Sequence, residues 1–286
     1  MLRCVLLSCD DLTDFTVDDD LLLEPFAAQG WQAEFVPWNA PDVDWSRYDA
    51  AIIRATWDYT FHLPDFLDTL QRIESLGVPL FNPWRVAAWN AHKGYLLELE
   101  AQGVPIVPTR VVDRETNLRG LFDTFSVDEL VIKPMVSAGA YNTFRFTRDA
   151  VPEIEAKLRG PMGEADLMAQ PFVASLLSQG EYSLFYFNGA YSHAVVKQPT
   201  PGDFRVQEEH GGIISPVQPS AALRAAGDAA LAAVPEDCLY ARVDLLESPE
   251  GEWQVIEIEL IEPSLYFRMD KGSPERFVRA FLERID

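Results

Sequence analysis

Hydrophobic positions in the first eighty residues fall in short runs separated by stretches of helical length. RCVLLSC (3–9), WQAEFVPW (31–38), DAAIIRA (49–55) and VPLF (78–81) read as strands, each too short for a buried helix. Between them, apolar residues recur at helical spacing over Thr16–Gln29 and Pro64–Leu76, closed by Gly30 and Gly77. Strands separated by helices imply an open parallel α/β sheet. No G-x-G-x-x-G follows the first strand, so a dinucleotide fingerprint is absent.

NPWRVAAWNAHKGYLLELEAQGV (82–104) predicts a helical link ending at Gly103, after which the pattern changes to strands. PIVPTRVV, ELVIKP, NTFRF and DLMAQPFV are expected strands, with a helix over Asp149–Leu158. EYSLFYF and AYSHAVVKQ flank Asn188-Gly189, the strongest hairpin signal in the chain. PTPGDFRVQEEHGG is an expected loop, Ser220–Ala233 a helix, CLYARVDLLE and EWQVIEIELI a strand pair, and Pro274 to the end a final helix. The layout is an N-terminal α/β unit followed by a mixed, largely antiparallel α+β region.

At 286 residues and 48% hydrophobic content the chain can bury a large core, but its net charge of -22 is unusual. That charge argues against nucleic acid or an anionic membrane as partner, while leaving room for phosphate in a local basic cleft. Cys4, Cys9 and Cys238 lack metal-ligand spacing and read as reduced, buried thiols. No apolar stretch approaches the roughly 20 residues that span a bilayer, and the N-terminus lacks a signal-peptide pattern. A cytoplasmic protein is expected; a homodimer is the commonest assembly for such a chain.

Against this background VIEIELIEPSL (255–265) is a puzzle, because three glutamates sit in one of the most apolar segments. Strand alternation places Val255, Glu257, Glu259 and Ile261 on one face and Ile256, Ile258 and Leu260 on the other, with Glu262 ending the strand before Pro263. Either the strand has a solvated acidic face, or the carboxylates hold a hard cation such as Mg2+. Asp244, alternating with Arg242 in ARVDLL, would face Glu257 across the hairpin. That pairing is repulsive without a cation and favours metal.

Lysine is scarce beside arginine. Of the five lysines, Lys133 ends the apolar strand ELVIKP, where an ammonium needs an anionic partner or must reach water. SAGAYNT follows, small residues that allow backbone N–H groups to approach an anion. Lys93 in NAHKGY offers a second charge, and Lys197 and Arg205 flank PTPGDF. Cations for phosphates with carboxylates for Mg2+ are the parts of phosphoryl transfer from ATP. Arg54, Thr56, Trp57, Asp58 and Tyr59 follow an N-terminal strand at the end where open α/β sheets bind ligands, and are expected substrate contacts. An equal alternative is a packed loop with Arg54 paired to Asp58. His210, beside Gly211 in EEHGG, is a further substrate candidate, although such a histidine is commonly a surface residue.

The order of these motifs resembles the ATP-grasp superfamily over residues 85–286, and within it the carboxylate-amine ligases. RATWDY and IELIEP are similar to the subgroup containing the D-cycloserine-forming cyclo-ligase. The resemblance implies a pre-ATP-grasp domain over 1–85, a central ATP-grasp subdomain over 86–172 and a C-terminal one with the metal site over 173–286. It implies that Lys93 and Lys133 contact ATP phosphates under a loop of Ser137, Ala138 and Gly139. Gln170, Pro171, Phe172 and Val173 would meet adenine, and Glu181 the ribose. Arg205 and Arg242, with Lys197, would serve the transferred phosphate, and Asp244, Glu257 and Glu259 would hold Mg2+. Many ligases of this superfamily carry E-x-N where this chain has Glu257-Ile258-Glu259. The implied activity joins a small-molecule carboxylate to an amine through an acyl phosphate, within one molecule or between two, as in an amino-acid or dipeptide ligase. A phosphotransferase and an ATP-binding regulatory module without turnover are the alternatives.

Overall fold

The computed structural model describes residues 1–286 apart from Asp14, Pro161, Gly163, Glu164 and Asp286. β1 (Leu2–Ser8), β2 (Trp31–Pro37), β3 (Ala50–Ile53) and β4 (Leu80–Phe81) form a parallel sheet in the order β2-β1-β3-β4. The central strands are buried on both faces, which explains their unbroken apolar runs. Thr16–Gln29 is not the single helix expected. It holds a short 3-10 turn at Asp19–Leu22 and then α1 (Leu23–Ala28). Pro25 explains the difference: it lacks an N–H and its ring clashes with the carbonyl four residues back, so it fits only a helix's first turn. α2 (Leu63–Ser75) places Pro64 in that first turn and is followed by Gly77 at φ +79°.

The link contains two helices, α3 (Trp84–Asn90) and α4 (Tyr95–Ala101), where one was expected. Between them the Lys93 N–H donates to the Met135 carbonyl (2.8 Å), which diverts the chain and carries Lys93 towards the second sheet. That sheet is antiparallel, with β5 (Arg110–Val112), β6 (Glu129–Pro134), β7 (Phe144–Thr147) and β8 (Leu167–Pro171) in the order β5-β8-β6-β7. Only the last three residues of PIVPTRVV join it. Val107 instead donates to Val255 of the third sheet (2.9 Å), and Pro108, without an N–H, separates the two pairings. α5 (Leu118–Phe125) was not anticipated; the Asn117 side chain caps it by accepting from the Gly120 N–H (3.1 Å). α6 (Val151–Leu158) packs with α5 in one apolar cluster.

After the short α7 (Ser175–Ser178), β9 (Glu181–Phe187), β10 (Ala190–Gln198), β11 (Ile213–Pro216), β12 (Tyr240–Glu247) and β13 (Trp253–Glu259) form the third sheet, antiparallel in the order β11-β10-β9-β12-β13. The β9–β10 turn is the expected one, with Asn188 and Gly189 both at positive φ. β11 is an addition to the expected strands. α8 (Ala221–Ala232), capped by Ser220, and α9 (Ser273–Ile285) complete the chain. A Cβ on Gly227 of α8 would lie 2.5 Å from the Tyr186 hydroxyl and 2.8 Å from Leu184, so the glycine lets the helix sit close to the sheet. Gly227→Ala is expected to cost about 1–3 kcal/mol by overpacking, measured as a lower denaturation midpoint.

β13 lies at a sheet edge, yet its outer backbone groups are satisfied by side chains from the link. The Asn90 amide bonds the Ile258 carbonyl and the Leu260 N–H (both 2.8 Å), and the Tyr95 hydroxyl bonds both backbone groups of Ile258 (both 2.9 Å). An edge closed in this way cannot slip register, and it fixes where Glu257 and Glu259 stand. The expected alternation holds only in part. Asp244 pairs with Glu257 and Leu245 with Val255, leaving Ile256 as a bulge. Val255 therefore turns into the core with Ile258 and Leu260, while Ile256 joins Glu257 and Glu259 on the opposite side.

Candidate active site

A cavity of about 410 Å³ lies between the second and third sheets and opens towards the N-terminal sheet. That is the size of a small-molecule site. Its floor is the face of the third sheet on which strand register lines up charge: Lys197 opposite Glu181, Asp244 opposite both Ser183 and Glu257, and Arg242 opposite Glu259. Lys197 reaches Glu181 at 2.5 Å and Asp244 at 3.2 Å. Arg242 holds Asp244 at 3.0 Å and also Glu259, and donates to the Ser264 carbonyl at 3.3 Å. Ser183 donates to Asp244 at 2.5 Å. Lys93 bridges Glu257 (3.0 Å) and the Ser137 carbonyl (2.5 Å).

The electrostatics follow from burial. Desolvation opposes ionisation of Asp244, but Arg242 and Lys197 overcome it and bring its carboxyl down to about 2. Glu257 is likewise pulled below its ordinary value, against burial, by Lys93 and Lys133. Glu259 moves the other way: burial, with repulsion from Glu257 and Asp244, outweighs Arg242 and raises it to about 7. Glu262, 7% exposed, is pushed well above the carboxylate range by burial and then by Glu259. Lys133 projects from the opposite sheet. Burial lowers its pKa and Lys93 adds repulsion, which attraction by Glu257 only partly offsets.

The second sheet supplies the roof. Val131 of β6, with Phe172 and Val173 just after β8, meets Leu176 of α7 and Leu246 and Ile256 of the third sheet to make one end apolar. Gln170 turns its amide to Thr109 (3.0 Å), leaving the backbone beyond it along the cavity. Ser137, Ala138 and Gly139 cover the Lys93 and Lys133 end. In this loop Gly139, Ala140 and Asn142 all have positive φ, and the Gly139 carbonyl meets the His210 ring at 3.3 Å across the cavity mouth.

The structure thus gathers the expected lysines, the small-residue loop, the 170–173 segment, Glu181, Arg205, Arg242, Asp244, Glu257, Glu259 and His210 around one cavity. Several expectations need correction. Arg54, Thr56, Asp58 and Gly211 do not line it. Arg54 is fully buried and bonds Asp19 (2.9 Å) and the Pro263 carbonyl (2.9 Å), so it joins the N-terminal sheet to the last loop. Thr56 is wholly buried, and Asp58 accepts from the Trp38 indole (2.7 Å). Gly211 serves the turn at φ +81°. Only Trp57 and Tyr59 of that segment reach the cavity. Asp244, Glu257 and Glu259 are not gathered into a preformed three-carboxylate centre: no such metal-holding group occurs among the described residues, and each of the three is drawn to a cation. Arg205 is half-turned to Asp203 (2.7 Å) at the rim.

Phe15, Phe204, Ser264 and Tyr266 line the cavity but were not singled out from the sequence. Leu246 was not singled out either, although its place two residues beyond Asp244 is a signal for it; Ile256 carries no such signal, because the bulge reverses its side.

A family model described as the N-terminal domain of D-cycloserine synthetase DcsG matches residues 4–82. The chain is 30% identical over 294 residues to the cycloserine biosynthesis protein DcsG of Streptomyces lavendulae, covering 96% of this chain and 97% of that protein. The crystal structure of D-cycloserine synthetase DcsG superposes with a TM-score of 0.88 at 28% identity, over 99% of this chain and 100% of the other. A D-alanine–D-alanine ligase from Bacillus anthracis complexed with ATP matches in fold, with a TM-score of 0.72 at 15% identity, over 100% and 97% of the two chains.

Proposed function

Because the chain belongs to the D-cycloserine synthetase (DcsG) family of ATP-dependent ligases, we propose that it closes a ring within one amino-acid-like molecule by joining its carboxylate to its own nitrogen. The observation that carries the site assignment is Lys133. It is buried in the cavity and has no hydrogen-bond or ion-pair partner among the described residues, as expected of a group awaiting a phosphate. In this reading residues 1–85 supply substrate contacts, 86–172 the phosphate-facing sheet and 173–286 the metal end.

ATP lies with adenine at the apolar end along residues 170–173, ribose near Glu181, and phosphates between Lys93, Lys133 and the loop of Ser137, Ala138 and Gly139. The all-oxygen donors Asp244, Glu257 and Glu259 suit a hard cation, and Mg2+ is commonly held by one or two carboxylates completed by substrate phosphates. Asp244 and Glu257, directly opposite in register, would hold it, with Glu259 beside them. When bound, Mg2+ supplies charge neutralisation at the phosphoryl oxygens.

The chemistry proceeds in two displacements. A substrate carboxylate oxygen attacks the γ-phosphorus, the bond to the bridging oxygen breaks, and ADP leaves. The substrate nitrogen then attacks the acyl carbon; the carbon–oxygen bond to phosphate breaks, and the nitrogen's proton passes to the departing phosphate. Arg242 meets the negative charge that grows on the transferred group, its fork already fixed by Asp244 and Glu259. Arg205 at the rim, once released from Asp203, adds a second guanidinium. Lys197, with Arg242 the stronger of the two, keeps Asp244 ionised.

The test is release of ADP and phosphate from Mg-ATP with O-ureido-D-serine, and the mass of the product. A cyclic product supports the proposal, a linear amide supports joining of two molecules, and a phosphorylated acid without free phosphate overturns both. Lys133→Ala is expected to weaken binding of a non-hydrolysable ATP analogue by roughly tenfold to a hundredfold, the value of a charge-assisted contact. Unchanged affinity by calorimetry would remove Lys133 from the phosphate site.

A further inference from the structure

We propose that Glu262 recognises a protonated amine on the substrate, and so makes the cavity selective for zwitterionic amino acids over simple carboxylic acids. This rests on the ligase reading of the same cavity.

Glu262 stands apart from the other acids there. Glu181, Asp244, Glu257 and Glu259 each have a lysine or arginine within ion-pair distance, whereas Glu262, more buried than Glu181, Glu257 or Glu259, has none among the described residues; Glu209, which also lacks one, is exposed. A buried carboxylate without a cation keeps its proton, and this one lines the cavity rather than the core. An ammonium arriving in the cavity sends that proton to solvent and becomes the charge partner the chain itself does not supply.

The segment is held for that purpose. β13 has ended at Glu259, and the backbone after it is pinned from the N-terminal sheet: the Trp57 indole donates to the Glu262 carbonyl (2.9 Å), and Arg54 to the next carbonyl, Pro263 (2.9 Å). With its own backbone fixed, the Glu262 side chain has little freedom to follow a retreating ligand, and less entropy to lose on binding.

The surroundings suit an ammonium. The Tyr59 hydroxyl lies beside the Glu262 carboxyl, and Trp57, Phe15 and Tyr266 wall the same end of the cavity. Phe15 and Trp57 pack with ring centroids 4.8 Å apart. Aromatic faces around a carboxylate attract a desolvated cation. Two residues further on, the Ser264 carbonyl accepts from Arg242, which brings the guanidinium to the same loop. An α-amino acid carries its carboxylate and ammonium on one carbon, so the first can face Arg242 and the phosphoryl group while the second faces Glu262. The amine so held is a binding handle and stays outside the bond being made.

The test compares O-ureido-D-serine with 3-(ureidooxy)propanoate, the same acid without its amine, at saturating Mg-ATP. Wild type should favour the amine-bearing acid by roughly a hundredfold in kcat/KM, as a charge-assisted contact permits. Glu262→Gln should lose most of that preference through KM, with the KM for ATP and the Mg2+ requirement unmoved. Retained preference in the variant, or none in the wild type, overturns the proposal; a raised Mg2+ requirement with preference intact makes Glu262 a metal residue instead. Should the variant fail to fold, wild-type calorimetry with a non-hydrolysable ATP analogue decides, by comparing D-cycloserine with isoxazolidin-3-one, which lacks the amine. Equal affinities overturn the proposal. If neither acid releases ADP in wild type, it is the ligase reading that fails, and the calorimetric pair, run on wild type and Glu262→Gln, still tests Glu262.

Discussion

Arg242→Met should reduce kcat by roughly 100- to 1,000-fold, the range seen when one preorganised donor to a developing negative charge is removed. Methionine preserves much of the side chain's length and apolar packing but removes the fork that holds Asp244 and Glu259. The loss should fall on kcat more than on the KM for ATP, because charge at the transferred phosphoryl group grows only as the bond breaks. Stability should fall as well, by about 3–5 kcal/mol, since one partner of a buried ion pair is removed. Lys197 still faces Asp244, so Glu259 bears most of that change. Arg242→Lys separates the two effects. It restores charge without bidentate geometry, and should recover most of the denaturation midpoint and little of the turnover. Unchanged kcat in Arg242→Met, with only a higher KM for ATP, would assign the arginine to binding alone.

Why Arg242 was legible in the sequence while other groups were not comes down to how locally each is specified. Arg242 and Asp244 alternate on one strand, and Glu257 and Glu259 on the next, with a short turn between, so period two and one hairpin suffice to place them together. Lys133 was marked by its position at the end of an apolar strand. Arg54 had the same kind of mark, yet its charge is spent on Asp19, thirty-five residues earlier, and on a carbonyl 209 residues later. No local pattern carries either partner. Ile256 shows the same limit within one strand, because a single bulge reverses parity and leaves no signature in residue type. The helix over Leu118–Phe125 was missed for a different reason: Gly120 lowers its propensity, and packing on the second sheet decides it. Glu262 was visible as an anomaly in the sequence. What distinguishes it, a missing cation, exists only in three dimensions.

Asp244→Asn and Glu257→Gln are each expected to lower turnover by roughly 100-fold or more at a fixed Mg2+ concentration, and to raise the Mg2+ needed for half-maximal rate. Both replacements keep shape and remove charge, and the amide oxygen introduced by Asp244→Asn could still accept from the Ser183 hydroxyl. Each removes one partner of a buried ion pair, so the denaturation midpoint should fall as well; turnover is therefore compared at a temperature where far-UV circular dichroism shows the variants folded. Glu181→Gln is the matched control. It removes another acid paired with Lys197, but one assigned to ribose, so the ATP requirement should rise with no change in Mg2+ dependence. A pH dependence accompanies the same site. Glu259, raised to about 7 by burial and its acidic neighbours, is partly protonated at neutrality. Mg2+ favours the ionised carboxylate, so apparent Mg2+ affinity should weaken as pH falls below 7, by up to about tenfold per pH unit for this one proton, and level off above it. Glu259→Gln removes that slope. If Asp244→Asn and Glu257→Gln both left the Mg2+ requirement unchanged, the cation would have to lie elsewhere, and the acidic face of β13 would reduce to a framework for Arg242 and Lys93.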